Sequence, residues 1–174
     1  PGPKRGRRKT MMIELKEITW ENFWKVVELR PNESQREYLH SNAVFMAQAY
    51  VNLKFRYPDA CFALYSGSHI VGFTKVVYVP RCAGPYNFSE DTYMIDAFMI
   101  DGREQGKGYG KAGFQQVLAF IETKPWGESN TIKLACHDSN TVAVSMYRKA
   151  GFCETDQFVD GDKRLRIHSK TIGN

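Results

Sequence analysis

The chain has 174 residues, 43% of them hydrophobic, 13% aromatic and 25% charged. That length fits one domain with a substantial core, and the composition excludes a disordered or collagenous chain. The net charge of +5 is local: Lys4, Arg5, Arg7, Arg8 and Lys9 crowd the opening PGPKRGRRKT, and without them 19 basic residues face 19 acidic ones.

The folded body therefore gives no electrostatic case for nucleic-acid binding. Residues 1–11 read as a basic flexible tail or an added leader, and 12–174 as a single domain, with Met11-Met12 looking like a natural start. The tail lacks the apolar core of a signal peptide, and no run approaches the roughly 18 apolar residues of a spanning helix, so no membrane partner is expected. Cys61, Cys82, Cys136 and Cys153 form no C-x-x-C pair. A reducing, cytoplasmic setting is expected. His40, His69, His137 and His168 are not spaced as zinc ligands, so no metal is expected.

IELKEI, 13–18, reads as the first strand. Thr19 is placed to cap a helix over WENFWKVVELR, with Trp20, Phe23, Trp24 and Val27 on one face and Pro31 as its stop. Asn32 with Gln35 suggests a second start, for a short helix over ESQREYLH. Asn42 caps a third, AVFMAQAYVN, in which Val44, Ala47 and Val51 recur at helical spacing. ACFALYSG (60–67) and SHIVGFTKVVYV (68–79) read as strands around a Gly-Ser turn. TYMIDAFMI (92–100) is almost wholly apolar and so a central strand. KAGFQQVLAFIET is a helix burying Phe114, Val117, Leu118 and Ile121. TIKLACH (131–137) is a strand. DSNTVAVSMYRKAGF is a helix begun by Ser139 or Asn140 and stopped by Gly151. CETDQFV and KRLRIHS close the chain as a hairpin across Asp160-Gly161-Asp162. The order is that of a mixed α/β sheet.

Between the central strand and the helix lies DGREQGKGYG, 101–110. It is neither G-x-G-x-x-G nor a G-x-x-x-x-G-K-[ST] loop. Its glycines still allow successive N–H groups at 105–110 to converge on an anion at a helix N-terminus, with Lys107 and Lys111 nearby. A tight turn without a ligand fits the loop taken alone.

Gln105-Gly-Lys-Gly-Tyr-Gly110 matches the Q/R-x-x-G-x-G/A signature of the GNAT N-acetyltransferases, and Asn140-x-x-Ala143-x-x-x-Tyr147-x-x-x-Gly151-Phe152 matches their second signature. On these residues the chain, over roughly 12–169, resembles that family, and its N-terminal part looks most like the diamine/spermidine acetyltransferase branch. The resemblance implies a mostly antiparallel central sheet flanked by helices, with a splayed pair of parallel central strands and a bulge in strand 92–100. It implies acetyl-CoA as cofactor. The pyrophosphate would lie on Gln105, Gly106, Lys107, Gly108, Tyr109, Gly110 and Lys111. The pantetheine arm would lie along the backbone of Phe98, Met99 and Ile100, and Asn140 and Ala143 would flank it. Tyr147 would reach the sulfur. A homodimer is plausible on the same ground.

An amine attacking a thioester must lose its proton, the oxyanion needs a donor, and the departing thiolate needs a proton. Tyr147 is the candidate for the last role, against a plain core tyrosine. A backbone N–H near Phe98 is the candidate oxyanion donor. Asp96 is a carboxylate inside an apolar strand, which is costly unless it faces a wet cleft, a partner or a substrate. It can collect the amine's proton, bind a distal ammonium, or simply be salt-bridged. Cys136 has no base visibly arranged for it. Glu28, Glu33 and Glu37, with Glu90 and Asp91, favour a polyamine or other small cationic amine if they face the cleft. Trp20, Trp24 and Tyr50 are candidates for an aliphatic amine channel, or for core. The expected function is acetyl transfer from acetyl-CoA to a primary amine by direct attack in a ternary complex. The alternatives are an aminoglycoside or protein amine as acceptor, or a non-catalytic CoA-binding regulatory module.

Overall fold

In the computed structural model, which describes residues 12–83, 87–159 and 165–172, seven strands build one sheet. They are β1 (Glu14–Glu17), β2 (Asp59–Ser66), β3 (His69–Val79), β4 (Thr92–Ile100), β5 (Thr131–His137), β6 (Cys153–Phe158) and β7 (Leu165–Thr171). Their spatial order is β1-β2-β3-β4-β5-β7-β6. Neighbours run antiparallel except β4 and β5, which are parallel. The helices are α1 (Phe23–Glu28), α2 (Asn42–Lys54), α3 (Tyr109–Glu122) and α4 (Thr141–Lys149), with 3-10 helices η1 (Glu33–Tyr38) and η2 (Gly102–Glu104). No helix among the described residues is long and apolar enough to cross a membrane. The expected tail over 1–11 and the hairpin turn at Asp160-Gly161-Asp162 lie outside the described residues.

One residue shapes the centre of the sheet. Lys75 of β3 faces Ala97 of β4, and the next residue, Val76, faces Ile95, so Asp96 is left over as a bulge. A bulge bends its strand and breaks the alternation of faces. Before it, Tyr93 and Ile95 pack with Phe114 and Val117 of α3. Beyond it, Phe98 and Ile100 turn to that side, while Ala97 and Met99 pack with Val26 and Phe45 of the α1–α2 layer. The parallel pairing then stops. Tyr93, Met94 and Ile95 pair with Ile132, Lys133 and Leu134, and the rest of β4 diverges from β5. The splay and the bulge that the family resemblance implied are both present.

The core on the α3 side is the one the helical period anticipates. Phe114, Val117, Leu118 and Ile121 are buried against Ile132, Leu134 and Phe152. Each such side chain contributes about 1.5–3 kcal/mol of transfer free energy. The other layer differs from the sequence reading. Thr19 does not open a helix over the whole of 20–30. Its N–H donates to Asn22 Oδ1 at 2.9 Å, and its carbonyl accepts from Asn22 and Phe23 before α1 begins. Val26 and Leu29 face inward, while Trp20 and Trp24 are 84% and 65% exposed. In α2, Ser41 takes the N-cap position, and Asn42 sits inside the helix with its amide donating to the Val26 carbonyl at 2.8 Å. Phe45 and Ala49 are buried, whereas Val44, Ala47 and Val51 are exposed. The helix is apolar on nearly every side, so spacing alone cannot choose its inner face.

Candidate active site

A cleft crosses the sheet where β4 and β5 part. Ile95, Asp96, Phe98 and Ile100 line one wall, Ala135, Cys136 and His137 the other, and Asn140, Ala143, Met146 and Tyr147 of α4 form its side. Pro31, Gln35, Tyr38 and Leu39 roof it, and Gln105, Gly106 and Gly110 stand at its end. The roof is tied across the gap: Ser139 Oγ lies 3.2 Å from both Tyr38 Oη and His137 Nδ1, and the Tyr38 and His137 rings meet at a tilt with centroids 5.3 Å apart.

The glycine loop is built to leave backbone donors open. Gly106 and Gly108 have φ of 77° and 91°, a left-handed conformation that side-chain-bearing residues rarely adopt. A Cβ placed on Gly106 would meet open space. Gly108 is the N-cap of α3 and gives its carbonyl to the Ala112 N–H. Among the described residues, the N–H groups of Gly106 to Lys111 find no backbone acceptor. Unused donors at the positive end of a 14-residue helix suit a pyrophosphate. The lysines contribute differently from expectation. Lys107 is paired with Glu104 at 2.9 Å, and Lys111 lines a groove between α3 and α4 that also carries Lys149.

Gln105 is held from three sides. Its Oε1 accepts from Asn32 at 2.6 Å, and its Nε2 donates to Gln35 Oε1 at 2.8 Å and to the Ile100 carbonyl at 3.0 Å. Gly102 N–H adds a bond to the Arg30 carbonyl at 2.8 Å. The loop and the roof of the cleft are thus one structure, which spacing within the sequence did not reveal.

Tyr147 is 8% exposed and packs on Phe114 at 5.1 Å, Phe152 at 6.2 Å and His168 at 6.3 Å. It is at once a core residue and a lining residue of the cleft. Burial, with Cys136 beside it, pushes its phenol well above the ordinary tyrosine range. It therefore keeps its proton, as an acid must. Burial pushes the Cys136 thiol up to about 12, which suits a space-filling side chain rather than a nucleophile. Asn140 caps α4 by accepting the Ala143 N–H at 3.3 Å.

Asp96 has a partner the sequence reading did not identify. Its Oδ2 lies 2.5 Å from Lys75 Nζ, whose other neighbour is Asp59 Oδ2 at 3.2 Å. Lys75 is 1% exposed, inside the apolar run of β3. A cation in one apolar strand and an anion in the next was the available signal. The remaining acidic candidates lie elsewhere. Glu28, Glu33 and Glu37 are exposed and do not line the cleft, and Glu90 pairs with Lys133 at 3.6 Å. Trp20, Trp24 and Tyr50 are neither core nor cleft lining.

Residues 13–152 match the model of the acetyltransferase (GNAT) family. The chain belongs to the GNAT acetyltransferase family. It is, by that membership, an acetyl-CoA-dependent N-acetyltransferase. Among curated proteins this acetyltransferase is similar to the spermine/spermidine N(1)-acetyltransferase of Bacillus subtilis strain 168, at 26% identity over 146 residues, covering 82% of this chain and 88% of that protein. Among solved structures it resembles the spermidine N-acetyltransferase of Vibrio cholerae in complex with CoA and spermine, with TM-score 0.63 and 16% identity over 92% of this chain and 95% of the other. It also resembles an aminoglycoside N(6')-acetyltransferase of Legionella pneumophila, with TM-score 0.66 and 14% identity over 92% of each chain. At such identities these two structures establish the GNAT fold of the chain and nothing finer.

Proposed function

We propose that this GNAT acetyltransferase acetylates a primary amine on a small cationic acceptor of the polyamine class. The reading rests on one arrangement: a cleft through the sheet with Tyr147 on the α3–α4 side and the Asp96 carboxylate at the bulge, facing the α1–α2 layer. The similarity to a spermine/spermidine acetyltransferase, at 26% identity, supports the choice of acceptor.

The open N–H groups of Gly106 to Lys111 would hold the pyrophosphate, and the edges of β4 at Phe98, Met99 and Ile100 the pantetheine arm. Acetyl-CoA, when bound, supplies a thioester activated for transfer. Asp96 takes the proton that the acceptor amine must lose. A backbone N–H near Phe98 donates to the carbonyl oxygen as charge gathers there. Tyr147 holds a proton at Oη for the departing sulfur. The walls of Phe98, Met146 and Leu39 exclude water from the space between. Glu28, Glu33 and Glu37 would act on a polycation from outside the cleft.

The test is release of CoA from acetyl-CoA with spermine, spermidine, diamines, aminoglycosides and a peptide α-amine, with the product weighed. A polyamine carrying the mass of one acetyl group is the expected result. Acetylation confined to aminoglycosides or peptide amines would replace the acceptor. Tight CoA binding without turnover on any of them would place the acceptor outside these amine classes.

A further inference from the structure

The buried charge cluster under α2 is larger than the mechanism above uses. Lys75 Nζ bridges Asp96 Oδ2, at the cleft, and Asp59 Oδ2, whose side chain is fully buried. Asn52 of α2 donates to Asp59 Oδ2 at 2.7 Å. Asp59 Oδ1 is buried with no hydrogen-bond partner among the described residues. Two carboxylates share one ammonium in an apolar layer, where charge is tolerated only when it is held by partners.

We propose that Lys75 is a positioning residue for acetyl transfer, which holds the Asp96 carboxylate charged and aimed at the acceptor amine, and that Asp59 anchors Lys75 from behind. The inference rests on the acetyltransferase reading given above. Three observations carry it. Asp96 is the bulge residue, so the ladder of β3 and β4 does not pin its backbone as it pins its neighbours, and a side-chain tether must set its direction. Lys75 is that tether: it is 1% exposed and has no reach to solvent that would otherwise account for an ammonium in β3. Asp59 supplies the hold from behind, because its Oδ2 lies 3.2 Å from Lys75 Nζ and is itself fixed by the Asn52 amide at 2.7 Å. Burial alone would lower Lys75, but the Asp96 and Asp59 carboxylates outweigh it and its net shift is upward, so the ammonium stays charged.

The step it serves is balanced within the cleft. One N–H bond of the acceptor ammonium breaks, the proton joins the Asp96 carboxylate, and the electron pair remains on nitrogen as the nucleophile. The proton then leaves to water. Lys75 keeps its own protons throughout. The ionisable groups described around Asp96 are Lys75 on β3 and Asp59 and Cys61 on β2, where Cys61 is pushed up to about 12 by burial and then by Asp59 and so stays neutral. Across the cleft stand Cys136 and His137 of β5, Tyr147 of α4 and Tyr38 of η1.

The experiment compares Lys75→Met and Cys61→Ala with the parent protein, using acetyl-CoA and whichever amine the panel identifies. Thermal melts and the KM for acetyl-CoA are read beside the pH profile of kcat/KM. Lys75→Met is expected to lose at least about tenfold in kcat, to keep the acetyl-CoA KM within about twofold, and to move the acidic limb of the profile upward by half a pH unit or more. Cys61→Ala, which disturbs the packing opposite Lys75 in the β2–β3 ladder and leaves the ammonium beside Asp96, is expected to stay within about threefold in kcat with no upward movement of that limb. Parent-like pH profiles in Lys75→Met overturn the inference and leave the acetyltransferase reading intact. The same upward movement in both variants also overturns it, because it would mark a packing effect. A parent protein that acetylates none of the amines overturns the functional reading and the inference with it.

Discussion

Asn32 gives its side-chain amide to Gln105, 2.6 Å away across the fold, instead of capping the 3-10 helix that begins beside it. The contact joins the roof of the cleft to the start of the glycine signature. Gln105→Ala removes this bond and those to Gln35 and Ile100. At about 0.5–1.5 kcal/mol for each of the three net hydrogen bonds, a stability loss of roughly 1.5–4.5 kcal/mol is expected. The acetyl-CoA affinity should fall with it, because the loop loses its support. Calorimetric titration and thermal melts check both. An unchanged affinity would mean that the loop holds its shape without the roof.

Tyr147→Phe keeps the ring packed on Phe114 and Phe152 and removes only the hydroxyl. If that hydroxyl protonates the sulfur, kcat falls by roughly 100-fold or more while acetyl-CoA binds within about twofold of the parent. The phenol is raised by burial, so the parent's profile carries no limb from Tyr147 near neutral pH. Equal kcat in the variant would remove the residue from the chemistry.

Gly108→Val places a branched side chain at φ 91°, at the start of α3. The conformation itself costs about 1–3 kcal/mol. The new Cβ also crowds the N–H groups meant for the pyrophosphate. Acetyl-CoA affinity should drop at least about tenfold, more than the melt alone accounts for. Intact affinity would count against the anion-binding role of this loop.

Asp101 accepts from Arg103 Nε at 2.7 Å and N–H at 3.0 Å and from the Arg30 N–H at 3.4 Å. Its carboxyl is lowered from 3.8, first by the Arg103 side-chain bond, with burial opposing. A depressed carboxyl stabilises the fold above its unfolded value and loses that contribution as pH falls through the folded one. The parent should therefore lose stability as pH drops below 3.8 through this group. Asp101→Asn should be less stable near pH 7 by about 1 kcal/mol, and the gap should close in acid. Chemical denaturation across that range reads it out.

Strand and helix identities were legible where the pattern was one-sided. TYMIDAFMI and TIKLACH coincide with β4 and β5, and the buried stripe of α3 is the one its spacing gives. The N-terminal helices were less legible. α2 offers apolar residues on every side, and its inner face is chosen by Val26 and Phe73, which lie far away in sequence. The site divides in the same way. Gln105, Gly106, Gly110, Asn140 and Tyr147 sit at fixed spacings in continuous segments, and all line the cleft. Asn32, Tyr38, Lys75 and Asp59 join it only through tertiary contacts, and local periodicity carries no record of those.

The bulge at Asp96 makes β4 sensitive to its own length. Removing Asp96 would restore even alternation along the strand and still leave Phe98 and Ile100 on the α3 side and Ala97 and Met99 on the α1–α2 side, because Ile95 and Ala97 already face consecutive residues of β3. A deletion of three nucleotides at that codon would therefore spare both layers of the core and straighten β4, taking away the bend at which it parts from β5. The passage between donor and acceptor hangs on one residue that the packing itself does not need.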